Sequence, residues 1–161
     1  MIELYKIFFL DSNILNGFVK SDSDAAEIMR LIEEYDLFHC FLVPHSVVVE
    51  VESESTPSSV KNKLDSFLRT VSVGLNNEEI DRLCRLFQNA KGNSEEKNIY
   101  SDLQHIAEAA KYGAHYFITS DKRLLKRKDK IKEIYPNLSV IEVSAAVKII
   151  HELCRFAKEL N

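Results

Sequence analysis

What constrains the fold most is an alternation. Short apolar runs, each the length of one strand, recur between stretches whose apolar residues repeat every three or four positions. The runs are YKIFFL (5–10), FHCFLV (38–43), HYFIT (115–119) and LSVIEV (138–143), with a weaker fifth at TVSVGL (70–75). β-Branched and aromatic residues dominate them, as in strands covered on both faces. Helical spacing joins Ala25, Ile28, Leu31, Ile32 and Tyr35 in 21–36, and Ile80, Leu83, Cys84 and Phe87 in 76–90. It also joins Leu103, Ile106, Ala107 and Ala110 in 101–113, and Val147, Ile150, Leu153, Cys154 and Ala157 in 144–160. Each period of 3.6 predicts a helix with one buried face. Gly113 is placed to end the third of them as the residue just past the helix. The polar segment ESESTPSS (52–59) reads as a loop. Strands alternating with helices predict an α/β protein with a parallel sheet, and 161 residues predict one domain spanning 1–161.

Composition excludes several function classes. Hydrophobic residues make up 45% of the chain, enough for a folded core, and the net charge is −4. An acidic balance of that kind leaves nucleic-acid binding to local patches. Cys40, Cys84 and Cys154 lie far apart with no CxxC pair, so they read as free buried thiols of a reducing compartment. No signal peptide is visible, and the apolar run 7–10 is far shorter than the ~20 residues of a membrane helix. The expectation is a soluble cytoplasmic protein with no membrane partner.

Acids stand out by position. Asp11 ends the first apolar run directly, and Asp121 follows YFITS directly. In a parallel sheet both emerge at the carboxyl edge, where ligands bind. Two like charges brought together there cost free energy unless a cation offsets them, and hard divalent ions take oxygen donors. Asp102 stands at the head of the helix expected over 101–112, where an acid suits the helix dipole. Glu50 ends SVVVE, a segment that residue type reads as a strand and the break at Pro44 reads as a new helix. A phosphotransfer enzyme with a nucleophilic aspartate wants a second aspartate two residues on, and that position holds Asn13.

Taken in order, these segments resemble the PIN-domain family of metal-dependent nucleases, which includes the VapC-type toxin ribonucleases. FFLDSNIL is similar to the family's opening strand and first acid. VPHSVVVEV is similar to the segment that carries the second, and SDLQHIAEAAKYGAHYFITSDKRLL to the part that carries the last two. The resemblance implies a three-layer α/β/α sandwich with a central parallel sheet of four to five strands, and a helix at Glu50, with Glu54 on the same face. It implies an RNA-cleaving phosphodiester hydrolase in which Asp11, Glu50, Asp102 and Asp121 hold one or two Mg²⁺ or Mn²⁺ ions. Ser12, Asn13 and Thr119 would support those acids from behind. It also implies a small antitoxin or a second copy of the chain as partners, with a non-catalytic RNA- or protein-binding module as the alternative. Many relatives carry a further acid shortly after the last aspartate, whereas this chain has Leu124 and Leu125 there.

The segment 122–132 holds seven Lys or Arg and one Asp. It is the natural route for a polyanion, with Lys122, Arg123, Lys126 and Arg127 as the substrate-binding candidates. His105, one turn after Asp102, reads as a hydrogen bond at a helix contact. The other histidines lack zinc-ligand spacing. Tyr100 and Tyr112 are aromatic candidates for base stacking, although packing suits them too.

Overall fold

The computed structural model describes residues 4–20, 22–53, 55–72, 74, 76–85 and 93–160. Five strands form one sheet: β1 Phe8–Leu10, β2 Phe41–Val43, β3 Leu68–Arg69, β4 Tyr116–Ile118 and β5 Ser139–Ile141. Four lie inside the runs expected from sequence, each trimmed to three residues. The fifth does not. The strand sits at Leu68–Arg69, before the run 70–75, and both of its residues are exposed. That edge strand is held by its backbone, which an apolar pattern does not report. The first half of FHCFLV is a 3-10 turn, Phe38–Cys40.

The strands run in the order β3-β2-β1-β4-β5, and every pairing is parallel. The chain winds outward from β1 through β2 to β3, then returns to place β4 on the other side of β1. The direction of winding therefore reverses between β1 and β4. At such a switch point the loops leaving the two strands part to opposite sides and leave a crevice. The pairing continues one residue past the strands, through Asp11 N–H to the Ile118 carbonyl at 3.1 Å and Thr119 N–H to the Ile141 carbonyl at 3.0 Å. Both residues are thus pinned at the base of the crevice.

Alternation along the strands sends side chains into two cores. Phe8, Leu10, Phe41, Val43 and Ile118 face one, with α1 (Ser12–Lys20), α2 (Ser23–Tyr35), α3 (His45–Val51), α4 (Ser58–Leu64) and α9 (Val143–Leu160). Phe9, Leu42, Phe117 and Val140 face the other, with α5 (Asn77–Arg85), α6 (Asn93–Tyr112), α7 (Lys122–Leu125) and α8 (Lys128–Ile134). The result is the three-layer α/β/α sandwich. Cys40 and Cys154 are buried free thiols, while Cys84 is only half-buried.

Three helices differ from the sequence expectation. α1 begins one residue after Asp11, and its buried Ile14, Leu15 and Phe18 follow the strand's own apolar run so closely that the change of period is hidden. α4 takes up the end of the segment expected as a loop. α6 starts at Asn93, so Asp102 lies in mid-helix rather than its first turn, and the dipole argument for it does not hold. At the Glu50 segment the helix wins. Val47, Val48 and Val51 are buried and Val49 is exposed, a 3.6-residue face that tertiary packing rewards despite the strand propensity of valine. Glu54 lies outside the described residues.

Candidate active site

Asp11 is the floor of the crevice. It is only 1% exposed. Its Oδ2 accepts the Thr119 hydroxyl at 2.7 Å and the Asn13 amide at 3.2 Å, and its Oδ1 accepts Ser12 N–H at 2.8 Å. Thr119, completely buried at the end of β4, accepts Asp121 N–H at 3.1 Å and the Asn13 amide at 3.3 Å on the same oxygen. Asn13 closes the ring by accepting Ser120 N–H at 3.1 Å. The ends of β1 and β4 are therefore locked together by side chains, with one carboxylate at the centre.

The opposite wall is a polar ridge along α6. Asp102, His105 and Glu108 recur every third residue, beside the buried Leu103, Ile106, Ala107 and Ala109. His105 is completely buried. Its Nε2 lies 2.8 Å from Glu50 Oε2 and its Nδ1 2.6 Å from Ser46 Oγ, both on α3. This is the helix contact expected from sequence, but the ring also lies against the acids. Atoms of Asp11, Asp102 and His105 capable of ligating a cation lie within 4.8 Å of one another. The bonds fix the proton count of the ring. Glu108 accepts both the backbone N–H and the hydroxyl of Ser46, at 2.9 and 2.7 Å, so that hydroxyl has no hydrogen left for His105. Nδ1 must donate to it, and Nε2 must donate to the Glu50 carboxylate. His105 is an imidazolium in this arrangement.

Asp121 caps α7, its Oδ1 accepting Arg123 N–H at 2.9 Å. The Arg123 guanidinium then bridges two acids, with Nη2 at 2.8 Å from Asp121 and 3.0 Å from Asp102. Glu50 is reached from the other side, where its Oε1 accepts the Ser12 hydroxyl at 3.1 Å. Asp11, Glu50, Asp102 and Asp121 thus belong to one hydrogen-bonded network at the carboxyl edge of the sheet. Only Asp11 and Asp102 of the four stand in the tight group.

Burial raises the Asp11 carboxyl above its ordinary value, against the opposing pull of His105 and the Thr119 bond. Burial, with Asp11 and Asp121 nearby, pushes Asp102 up to about 7, despite His105 and Arg123. Burial pulls the His105 imidazolium down, but its bond to Glu50 and the nearby Asp11 outweigh this and raise it overall. Glu50 is lowered chiefly by its bond to His105. Burial raises Asp121, but the Arg123 bonds outweigh it and lower the acid. Burial raises both acids, the charge of Asp11 raises Asp102 further, and a divalent cation relieves such a pair. Their oxygens are the donors such an ion prefers. Asp11 and Asp102 therefore fit a divalent cation. His105 fits less well as a ligand, because both ring nitrogens are engaged by Glu50 and Ser46.

The family model described as PIN domain matches residues 8–131, from β1 into α8. This chain belongs to the PIN-domain family. No curated protein matches it. PIN domains are generally metal-dependent nucleases, and the acidic cluster of this one can bind a metal. The match stops before β5 and α9, which nonetheless complete the domain's sheet and pack on α2.

Other candidates fall around this PIN-domain crevice. Lys122 and Lys126 are exposed beside Asp121, and Arg127 is half-buried with its Nη1 on the Arg123 carbonyl. Arg123 points inward to the acids. Tyr112 packs edge-on against Phe9, and Tyr100 is exposed. Sequence reasoning missed Ser46, Glu108 and the inward turn of Arg123. The first two had a signal: Asp102, His105 and Glu108 recur every third residue beside Leu103, Ile106 and Ala107, and such polar groups need partners once buried. No described helix is long and apolar enough to cross a membrane.

Proposed function

We propose that this PIN domain hydrolyses phosphodiester bonds in RNA, with Mg²⁺ or Mn²⁺ as its cofactor. The observation that carries the reading is the pairing of buried Asp11 with Asp102 at the switch point of the sheet. Those two would hold the ion, with Glu50 and Asp121 as flanking acids. When bound, the ion supplies a Lewis acid that offsets phosphate charge and eases deprotonation of water.

The chain's own residues do the rest. Thr119, Asn13 and the Ser12 amide hold Asp11 in a single orientation, so no free energy is spent ordering it during reaction. His105, held by Ser46, keeps Glu50 turned toward the crevice. Arg123 neutralises the Asp102–Asp121 side, where many relatives place another acid and this chain has Leu124 and Leu125. That cation favours one ion over two. Lys122 and Lys126 draw the phosphate backbone past the site. The same chemistry suits a toxin held in check by a small antitoxin.

The test incubates the protein with labelled single-stranded RNA and matched DNA in Mn²⁺ or in chelator. The expected outcome is RNA cleavage in Mn²⁺ alone, lost by at least a hundredfold in Asp11→Asn. Intact RNA under every metal would replace the nuclease reading with that of a non-catalytic binding module. Preferential cutting of DNA would overturn the substrate. Growth arrest on expression, relieved by Asp11→Asn, would support the toxin role, and normal growth would count against it.

A further inference from the structure

A groove of about 650 Å³ opens beside the acids, walled by α3, α5, α6 and the segment leading into α5. Ser46 and Glu50 belong to both, so the groove continues directly from the crevice. Its α6 wall presents Tyr100, Gln104 and Glu108 at four-residue spacing, one above the other on a single helix face. Tyr100 is 45% exposed. Gln104, Ser101, His45 and Asn77 also line the groove, and among the described residues no hydrogen bond engages their side chains.

We propose that this groove is a base-binding subsite for one nucleotide adjoining the scissile phosphate, and that Tyr100 and Gln104 set base preference. The inference rests on the nuclease reading and adds what the enzyme selects. Three features point to a base rather than a phosphate. Glu50 and Glu108 make the wall acidic, and among the described residues no lysine or arginine lines the groove, which disfavours a phosphate. An exposed tyrosine offers a stacking platform that a flat heterocycle fits. An unpaired primary amide beside acceptor carboxylates can meet the edge of an amino-bearing base, donating and accepting at once. Adenine and cytosine present such an amino group, and uracil does not.

The experiment measures affinities of fluorescein-labelled A, C and U decamers of RNA by anisotropy, with Ca²⁺ present and strand integrity checked on gels. The proteins are wild type, Tyr100→Ala and Gln104→Ala, with melting temperatures confirming the fold. Wild type is expected to bind A and C decamers more tightly than U. Tyr100→Ala is expected to weaken all three by about tenfold, in keeping with the worth of one stacked base. Gln104→Ala is expected to compress the A- or C-over-U preference toward unity while leaving U unchanged. If wild type cleaves RNA in Mn²⁺ but neither variant alters affinity or preference, the subsite is wrong and the nuclease reading stands. If wild type neither binds nor cleaves RNA, both fail together. If the variants instead release a co-purifying basic protein with RNA affinities unmoved, the groove is a protein site and the proposal is overturned.

Discussion

A buried carboxylate is costly unless every one of its oxygens is answered. Asp11 meets that condition with three donors, of which the Thr119 hydroxyl is the shortest at 2.7 Å. Thr119→Val keeps the shape and removes the hydroxyl, which also orphans Asp121 N–H. We expect it to destabilise the fold by roughly 1–3 kcal/mol, read by chemical denaturation. A change below a few tenths would mean that the hydroxyl does not hold Asp11. At this scale the sequence was informative about acids and silent about their partners. Asp11 and Asp121 were legible because each ends an apolar run. Arg123 looked like one more cation of a basic segment. Only the short α7 turn, capped by Asp121, swings its guanidinium back onto Asp102. Ser46 carried no signal by itself, since its role exists only once α3 crosses α6.

Elements were legible where local pattern and tertiary demand agreed. β1, β2, β4 and β5 and most of α2, α5 and α9 follow from period and residue type. The misses share a cause. Only Asp11, Ser12 and Asn13 separate the apolar residues of β1 from those of α1, too short a break to mark the change of period. β3 is an exposed edge strand with no buried face to leave a pattern. Residue type leaves the Glu50 segment open between strand and helix, the family resemblance implies the helix, and packing of α3 against α6 overrides its valine propensity. α6 extends back to Asn93 through a polar stretch that an apolar repeat could not track. Its far end was plain, because Gly113 adopts φ +94° and Ala114 N–H bonds back to the Ala109 carbonyl at 3.0 Å. Gly113→Ala puts a side chain where the left-handed backbone resists it. The expected loss is roughly 1 kcal/mol in unfolding free energy. An unchanged melting temperature would contradict that reading of the turn.

For the whole molecule, the strand order explains why distant acids meet. β1 and β4 are neighbours in the sheet although about a hundred residues separate them, and the reversal of winding between them opens the crevice. The fold and its acids are coupled through protonation as well. Asp102 is raised in the folded chain, so its contribution to stability is present below about pH 4 and is lost as pH climbs to about 7, and Asp11, raised too, loses its contribution as pH passes its own folded value. His105, also raised, loses its contribution as pH passes its folded value, above its ordinary 6.5. Glu50 and Asp121 are lowered, so their contribution falls away only in more acidic solution. Without metal, the protein is therefore expected to melt at a lower temperature at pH 8 than at pH 5. Asp102→Asn should shrink that difference, and an equal difference in the variant would remove Asp102 from the account.

The most direct measurement is the melting temperature at pH 7.5 as Mn²⁺ is added to wild type, Asp11→Asn and Asp102→Asn. A cation held between Asp11 and Asp102 at a hundred times its dissociation constant should raise the wild-type value by about 5–10 °C and leave both variants nearly unmoved. A wild type indifferent to Mn²⁺, or variants that respond as strongly as it does, would contradict the claim that these two carboxylates form a metal site.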